Sequence, residues 1–429
     1  MNNPYGPPPG PHGHAPYPSQ HPQAYGAQPQ GYPGQGPYAP PGYGAPSGYG
    51  APQPPVSAEP PDPDKRRRTV GLGLWIVGML AGIVLNILFT LAEIFLSKAP
   101  GRMLSAVLTG TLFAFLPLGF YLFVPMVLDR YDPEPWWCLA MAFLWGAVVA
   151  TGFAGMINTG VHIAFAGLFG PVVGNFVTTV VSAPLSEEFF KGLAILGFFF
   201  FLRREFDGVV DGIIYATFCA LGFAAVENVS YYARADMADQ LGSTFFLRGI
   251  LAPWGHPLYT AMTGIGFGIA RESSQTWVKW LAPIGGFFIG VFLHALWNFV
   301  PTVIPNAFVV MLLFWLLFVA AFFLIIIALV VRKGRTIRQF LRDEVLLGNL
   351  TQQELELVCS PVGRIQCTFS WRGAEGRAFI RAASRLALSK WHTARAMKGQ
   401  KRTISADFIG PLRRELATLR TALLAKAPR

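Results

Sequence analysis

The stretch Ala183–Lys191 reads APLSEEFFK and places two adjacent carboxylates, Glu187 and Glu188, between long apolar segments. The segment before it reads GPVVGNFVTTVVS, and the segment after it reads GLAILGFFFFL. Ionisable side chains are costly in hydrocarbon, so by default their presence there indicates a functional site. The alternative is that both carboxylates lie at the membrane interface, at the end of a helix, where water solvates them.

The composition predicts an all-α, polytopic membrane protein. Of 429 residues, 52% are hydrophobic and only 13% are charged, whereas a typical soluble domain has about 25% charged residues. The apolar residues fall in runs of about 20, the length of helix that crosses a bilayer. The nine runs are 70–96, 104–128, 136–156, 159–181, 183–202, 208–232, 246–270, 278–300 and 305–331.

Basic residues between the runs predict their orientation, because Lys and Arg concentrate on the cytoplasmic side. Lys65–Arg68, Arg203–Arg204 and Arg332–Arg335 can all be cytoplasmic only if one of the first five runs does not cross. The best candidate is 159–181, which contains several glycines and a proline, since broken backbone is tolerated where it lines a cavity. We expect about 8–9 membrane segments, eight of them crossing, with both termini cytoplasmic and the protein in the plasma membrane.

Three regions are predicted. Residues 1–64 are rich in Pro, Gly and Tyr and lack the apolar mass for a core, so they are expected to be a disordered tail. Residues 65–331 form the transmembrane domain. Residues 332–429 contain 20 Lys or Arg and 7 Asp or Glu and read as a small, basic, helical cytoplasmic domain. Its charge fits contact with the lipid bilayer better than nucleic acid, and no nucleic-acid partner is expected.

Three more polar sites lie within the apolar runs. Glu227 and Asn228 follow one another, His256 precedes a proline that breaks the helix, and His294 and Asn298 share a helix face. Lys191 lies four residues after Glu187, so this pair also shares a face. In the predicted topology these groups occupy one layer, roughly a third of the way into the bilayer from outside.

This combination of residues suits the activation of water. A carboxylate of the Glu187–Glu188 pair can act as a base and then as an acid, while Asn298 donates a hydrogen bond to an oxyanion. Alternatively, Glu227, His256 and His294 hold Zn²⁺ and leave a fourth position for water. Serine nucleophile chemistry fits less well, because no strand–turn–helix elbow is present.

The motifs EEFFK, FAAVEN, HPLYT and HALWN follow one another in this order between residues 187 and 298. Together with DRYDPEPWW at 129–137, they resemble the PrsW family of intramembrane proteases, within the CAAX-protease-like superfamily. The resemblance covers roughly residues 70–331.

The resemblance implies a helical intramembrane endopeptidase whose substrate is a single-pass membrane protein, such as an anti-sigma factor. Carried over motif by motif, it assigns the paired glutamates to Glu187 and Glu188, with Lys191 as their basic partner. It assigns the second acidic motif to Glu227 and the two histidines to His256 and His294. Members of the family are described as metalloproteases, and related enzymes as metal-free glutamate proteases, so both mechanisms remain open.

Three alternatives use the same residues. A proton- or cation-coupled transporter would use the buried acids and histidines as an ion path, although no internal repeat is evident. A scaffold or receptor would use them only to pack helices. A prenyl-protein endopeptidase-like activity is the closest alternative to the protease.

Overall fold

The computed structural model describes residues 65–128, 133–304, 307–360, 373–398 and 405–425. The predicted tail, 1–64, and part of the loop 129–137 lie outside the described residues. All regular secondary structure in the described residues is helical, which confirms the all-α prediction. The helices are α1 (Lys65–Phe95), α2 (Pro100–Phe115), α3 (Leu118–Leu128), α4 (Trp136–Leu144), α5 (Thr151–Phe169), α6 (Pro171–Val177), α7 (Ala183–Phe201), α8 (Val209–Met237), α9 (Leu241–Phe245), α10 (Gly255–Glu272), α11 (Thr276–Val303), α12 (Phe308–Leu346), α13 (Gln352–Cys359), α14 (Gly373–Lys398) and α15 (Ser405–Ala425).

Within the described residues, six helical stretches are long and apolar enough to cross a membrane. The protein is therefore a multi-pass membrane protein, while the predicted count of eight or nine segments is not confirmed. The six are Lys65–Phe95, Pro100–Val127, Trp136–Phe169, Val209–Met237, Thr276–Val303 and Val309–Leu346.

The predicted run 159–181 is not a separate segment. A π-helical turn, Trp145–Ala150, joins α4 to α5, and the helix continues without a break to Phe169. The break comes at Gly170, whose φ of 89° and ψ of 163° favour glycine, and Pro171 then starts the next helix. Hydropathy could not locate this break, because it depends on one backbone conformation rather than on composition.

Helix α8 lies at the centre of the bundle and is buried on nearly all sides. It packs against α2, α4, α7 and α10. Its approach to α10 is possible because Gly212 and Gly264 face each other. A Cβ added to Gly264 would lie 2.2 Å from the carbonyl oxygen of Gly212. This contact brings together the two helices that carry Glu227 and His256.

Two glycine pairs with GxxxG spacing, Gly264–Gly268 and Gly286–Gly290, allow close helix packing. Gly286 and Gly290 of α11 lie against α10, where an added Cβ would be 2.2 Å from the Met262 oxygen and 2.6 Å from the Tyr259 oxygen, respectively. Gly268 of α10 lies equally close to the backbone at the start of α8. The glycines therefore set the distances between the helices that carry the candidate site.

The boundary predicted at 331/332 falls inside a helix, since α12 continues to Leu346. Its last turns pack with α13, α14 and α15 in one apolar core. Thr351 and Glu354 form a capping box at the start of α13. Fully buried Glu344 of α12 accepts hydrogen bonds from Lys390 and Arg413, which fastens α14 and α15 to this helix.

Candidate active site

The acids and imidazoles singled out in the sequence come from four helices and meet in one place. We call this group the acid–histidine cluster, and its members are Glu187, Glu188 and Lys191 of α7, Glu227 of α8, His256 of α10 and His294 of α11. Glu188 and Lys191 are fully buried, and Glu187 and His294 nearly so. The four motifs therefore contribute to one site rather than to separate helix contacts.

Lys191 lies at the centre of this cluster. Its Nζ is 2.9 Å from Oε1 of Glu188 and 3.5 Å from Oε2 of Glu187. It is also 3.0 Å from Nδ1 of His256. Because an ammonium group has only hydrogens to donate, Nδ1 of His256 must accept, and the ring proton lies on Nε2.

Glu188 is held by three donors. Besides Lys191, Thr260 donates to its Oε2 at 2.7 Å, and Nδ1 of His294 lies 3.2 Å from its Oε1. His294 also stacks on the ring of Tyr259 with the ring centroids 4.8 Å apart. These contacts fix the histidine with its proton on Nδ1 and leave its Nε2 as an acceptor.

Glu227 binds the other histidine. Its Oε2 is 3.1 Å from Nε2 of His256 and also accepts a hydrogen bond from Arg248. Nε of Arg248 donates to Oδ1 of Asn228 at 2.7 Å, and the guanidinium group lies 3.7 Å from the ring of Tyr231. Asn228 therefore helps to hold the guanidinium group of Arg248 in place.

The residues that fit a metal ion differ by one from the predicted set. Glu187, His256 and His294 each offer a ligand atom within 4.8 Å of the others. Glu227 is committed to His256 and Arg248, so Glu187 takes its place as the carboxylate. Two histidines and one glutamate are a common ligand set for catalytic zinc. The set therefore fits Zn²⁺ by residue type, provided that Lys191 moves away from Nδ1 of His256.

The carboxylates at the site outnumber the cations by one. Three carboxylates, those of Glu187, Glu188 and Glu227, face two cations, Lys191 and Arg248. The unmatched negative charge can be neutralised by a proton or by a metal ion.

Asn298, predicted to face the site, donates from Nδ2 to the carbonyl oxygen of Thr179 at 2.9 Å. One of its two N–H groups is therefore engaged, and the second has no partner among the residues that the structure describes. Arg248 and Thr260 also belong to the site, although the sequence did not indicate them. No local signal marks them, because Arg248 lies close to a predicted membrane boundary and threonine is common in membrane helices.

The cluster faces an open cavity of about 1050 Å³. Glu187, Glu227, His256, His294 and Asn298 line it, whereas Glu188 and Lys191 lie behind them. Further polar side chains from α1, α2 and α5 extend the cavity away from the cluster and include Asn86, Glu93, Thr111, Asn158 and Thr159. The cavity has the size and polarity to hold a peptide segment together with water.

An apolar helical bundle with acids and imidazoles facing a polar cavity defines the chain as a polytopic membrane protein with a hydrolase-type site. Residues 134–328 match the family described as PrsW family intramembrane metalloprotease. Through these residues the chain is similar to the PrsW family of intramembrane proteases, as its motifs indicated, and the comparisons support a protease.

Curated relatives named Protease PrsW support this assignment. The protein from Geobacillus kaustophilus is 29% identical over 189 residues, which cover 39% of this chain and 79% of the relative. The protein from Bacillus subtilis is 27% identical over 187 residues, covering 42% and 76%, respectively. The protein from Halalkalibacterium halodurans is 34% identical over 112 residues, covering 26% and 48%. No solved structure gives a significant match to the chain.

Proposed function

We propose that the protein is an endopeptidase that hydrolyses a peptide bond of a membrane-anchored protein, with Glu187 as the base. The observation that carries this proposal is the difference between the two adjacent glutamates. Glu187 lines the cavity, and its partners lie 3.5 to 4.0 Å away. Glu188 lies behind Glu187, and its carboxylate accepts hydrogen bonds from three donors. Only Glu187 is placed to reach a water molecule and a substrate.

The position of the attacking water follows from the arrangement of acceptors. Nε2 of His294 lies 3.9 Å from Oε2 of Glu187, and when Glu187 is ionised both atoms can only accept hydrogen bonds. One water molecule can bridge two such acceptors by donating a hydrogen bond to each. Its oxygen then keeps its lone pairs free to attack a carbonyl carbon.

In the proposed reaction, Glu187 takes a proton from this water as its oxygen bonds to the scissile carbonyl carbon. The carbonyl oxygen becomes negatively charged, and we assign its donor to the N–H of Asn298 that Thr179 does not hold. The C–N bond then breaks as Glu187 returns the proton to the leaving nitrogen. The products are one carboxylic acid and one amine.

The other members of the cluster keep these groups in position. Glu188 and Lys191 orient His294 and Glu187, and Glu227 with Arg248 fixes the His256 ring. Buried polar groups with all their partners in place hold one geometry well, which hydrolysis requires.

A metal-dependent form of the reaction would use the same side chains. Glu187, His256 and His294 would hold the metal ion, and the ion would supply the activation of water. Lys191 would then have to move away from His256. Cleavage that resists chelation, by a preparation without bound metal, would support the metal-free form.

We further propose a single-pass membrane protein such as an anti-sigma factor as the substrate, and a plasma-membrane location with both termini cytoplasmic. The family resemblance supports the substrate class. The basic residues Lys65–Arg68 at the start of α1 and Arg332–Arg335 within α12 support the orientation.

The test is cleavage of a tagged anti-sigma factor that is co-expressed with the full-length protein. We expect Glu187→Gln and His294→Ala each to abolish the cleaved fragment on an immunoblot. The exposed Glu415→Gln on α15 serves as the matched control and should cleave normally. Cleavage by both site variants would overturn the mechanism, and substrate-dependent proton flux without cleavage would favour the transporter alternative.

A further inference from the structure

Asn158 of α5 has an unusual set of partners. Its Oδ1 accepts hydrogen bonds from the hydroxyl groups of Ser182 at 2.7 Å and Ser186 at 3.0 Å. Both serines are buried, and Ser186 directly precedes Glu187. In this arrangement both hydroxyl groups donate to the amide oxygen, so the NH₂ group points away from the two serines.

This arrangement leaves the NH₂ group of Asn158 available. Among the described residues, Nδ2 of Asn158 makes no hydrogen bond, and Asn158 lines the same cavity as Glu187. An amide group that lines a cavity and whose oxygen already accepts two hydrogen bonds can still donate from its NH₂ group to carbonyl oxygens. Asn298 differs, because its NH₂ group is partly engaged by Thr179.

We propose that Asn158 binds a backbone carbonyl of the substrate next to the scissile bond. This inference rests on the proposed protease function and adds to it a residue that binds the substrate chain. Carbonyl groups within an intact helix are already engaged by the helix itself. The ligand of Asn158 is therefore an unwound segment of a membrane peptide, whose carbonyl oxygens are free.

The two serines act as positioning residues in this arrangement. Ser182 and Ser186 are one helical turn apart on the α7 side of the cavity, so their hydroxyl groups reach the same oxygen of Asn158. They connect the proposed substrate contact to the helix that carries the proposed base.

The test compares kinetic constants for cleavage of a single-pass peptide substrate by the full-length protein in liposomes. Asn158→Asp keeps an oxygen for the two serines and removes both N–H groups. Asn158→Ala removes the oxygen as well. We expect KM to rise about tenfold in both variants with kcat within twofold of wild type, since one hydrogen bond to bound substrate is lost. Asn175→Ala, an exposed asparagine on α6, is the matched control and should leave KM unchanged.

Two outcomes would overturn the inference. An unchanged KM in Asn158→Asp would show that only the serine contacts matter, which is a structural role. A fall in kcat with KM unchanged would mean that Asn158 acts on the transition state rather than on bound substrate. The proposed function is tested separately, because Glu187→Gln in the same liposomes must be inactive whatever Asn158 does.

Discussion

Glu187 and Glu188 are neighbours in the sequence, but their side chains have different surroundings. Glu188 is fully enclosed and pairs with Lys191, Thr260 and His294, whereas Glu187 faces the cavity. A buried ion pair is destabilised strongly when one partner is removed, because the remaining charge stays buried without compensation. The two glutamates should therefore respond differently to the same substitution.

We expect Glu188→Gln to lower the unfolding midpoint of the purified protein by roughly 5 °C or more, corresponding to about 3 kcal/mol. The reason is that Lys191 loses its closest carboxylate, at 2.9 Å. Glu187→Gln removes only a contact of 3.5 Å and should shift the midpoint much less. Thermal unfolding followed by tryptophan fluorescence provides the measurement. Equal shifts in the two variants would contradict the assigned roles.

At this scale the sequence identified the charged and imidazole residues because such groups are rare in apolar runs. It could not separate Glu187 from Glu188, since their difference arises from Thr260 and His294 on other helices. It also could not identify Asn158, because asparagine in a membrane helix has many structural uses.

At the scale of helices, contacts between glycines and backbone oxygens set the geometry of the site. Helix α11 carries His294 and meets α10 at Gly286, and the rings of His256 and His294 lie 5.1 Å apart. Two adjacent glycines of α11 differ sharply in their surroundings. A Cβ on Gly286 would lie 2.2 Å from the Met262 oxygen, whereas one on Gly285 would meet nothing within 4 Å.

We expect Gly286→Ala to lower both the unfolding midpoint and the cleavage rate, the latter at least tenfold, because α11 must move away from α10. Gly285→Ala should leave activity unchanged and stabilise the helix by up to about 1 kcal/mol. The two variants are measured side by side in the same detergent. Full activity in Gly286→Ala would show that the helix spacing does not control the site.

The sequence placed most helices correctly, because apolar runs of membrane length are a strong signal. The predicted boundary between the runs 136–156 and 159–181 was wrong, because polar residues interrupt the apolar run there but α5 continues through it. The glycines and proline of 159–181 indicated a break in this run, and the positive φ of Gly170 places it at that residue.

At the scale of the whole chain, the C-terminal helices are attached to the membrane helices. Arg385 of α14 pairs with Glu205 at 2.9 Å, and Arg395 lies 3.4 Å from Glu272. Between α14 and the membrane helices lies a cavity of about 60 Å³ lined by His392 and Asp211. Nε2 of His392 is buried there and has no hydrogen-bond partner within the described part of the chain.

Burial lowers the pKa of His392 from 6.5 to about 4, with Arg395, Arg271 and Lys333 adding to the effect and Asp211 opposing it. The folded protein therefore favours the neutral ring, and unfolding below pH 6.5 takes up a proton. The stability is full above this pH and falls as the pH decreases toward 4.

We expect the unfolding midpoint to fall less in His392→Gln than in wild type between pH 7.5 and pH 5, because glutamine takes up no proton over this pH range. Unfolding scans of the full-length protein at several pH values provide the comparison. Parallel pH profiles for the two proteins would mean that His392 does not couple protonation to the docking of α14.

The central claim is that Glu187 activates water in a cavity within the membrane domain. Its most direct test is the single-turnover rate of cleavage by purified Glu187→Gln in liposomes at saturating substrate, with the unfolding midpoint recorded on the same preparation. We predict a rate at least 1000-fold below wild type with little change in the midpoint, as expected for loss of a general base. A rate within tenfold of wild type from a folded variant would contradict the claim.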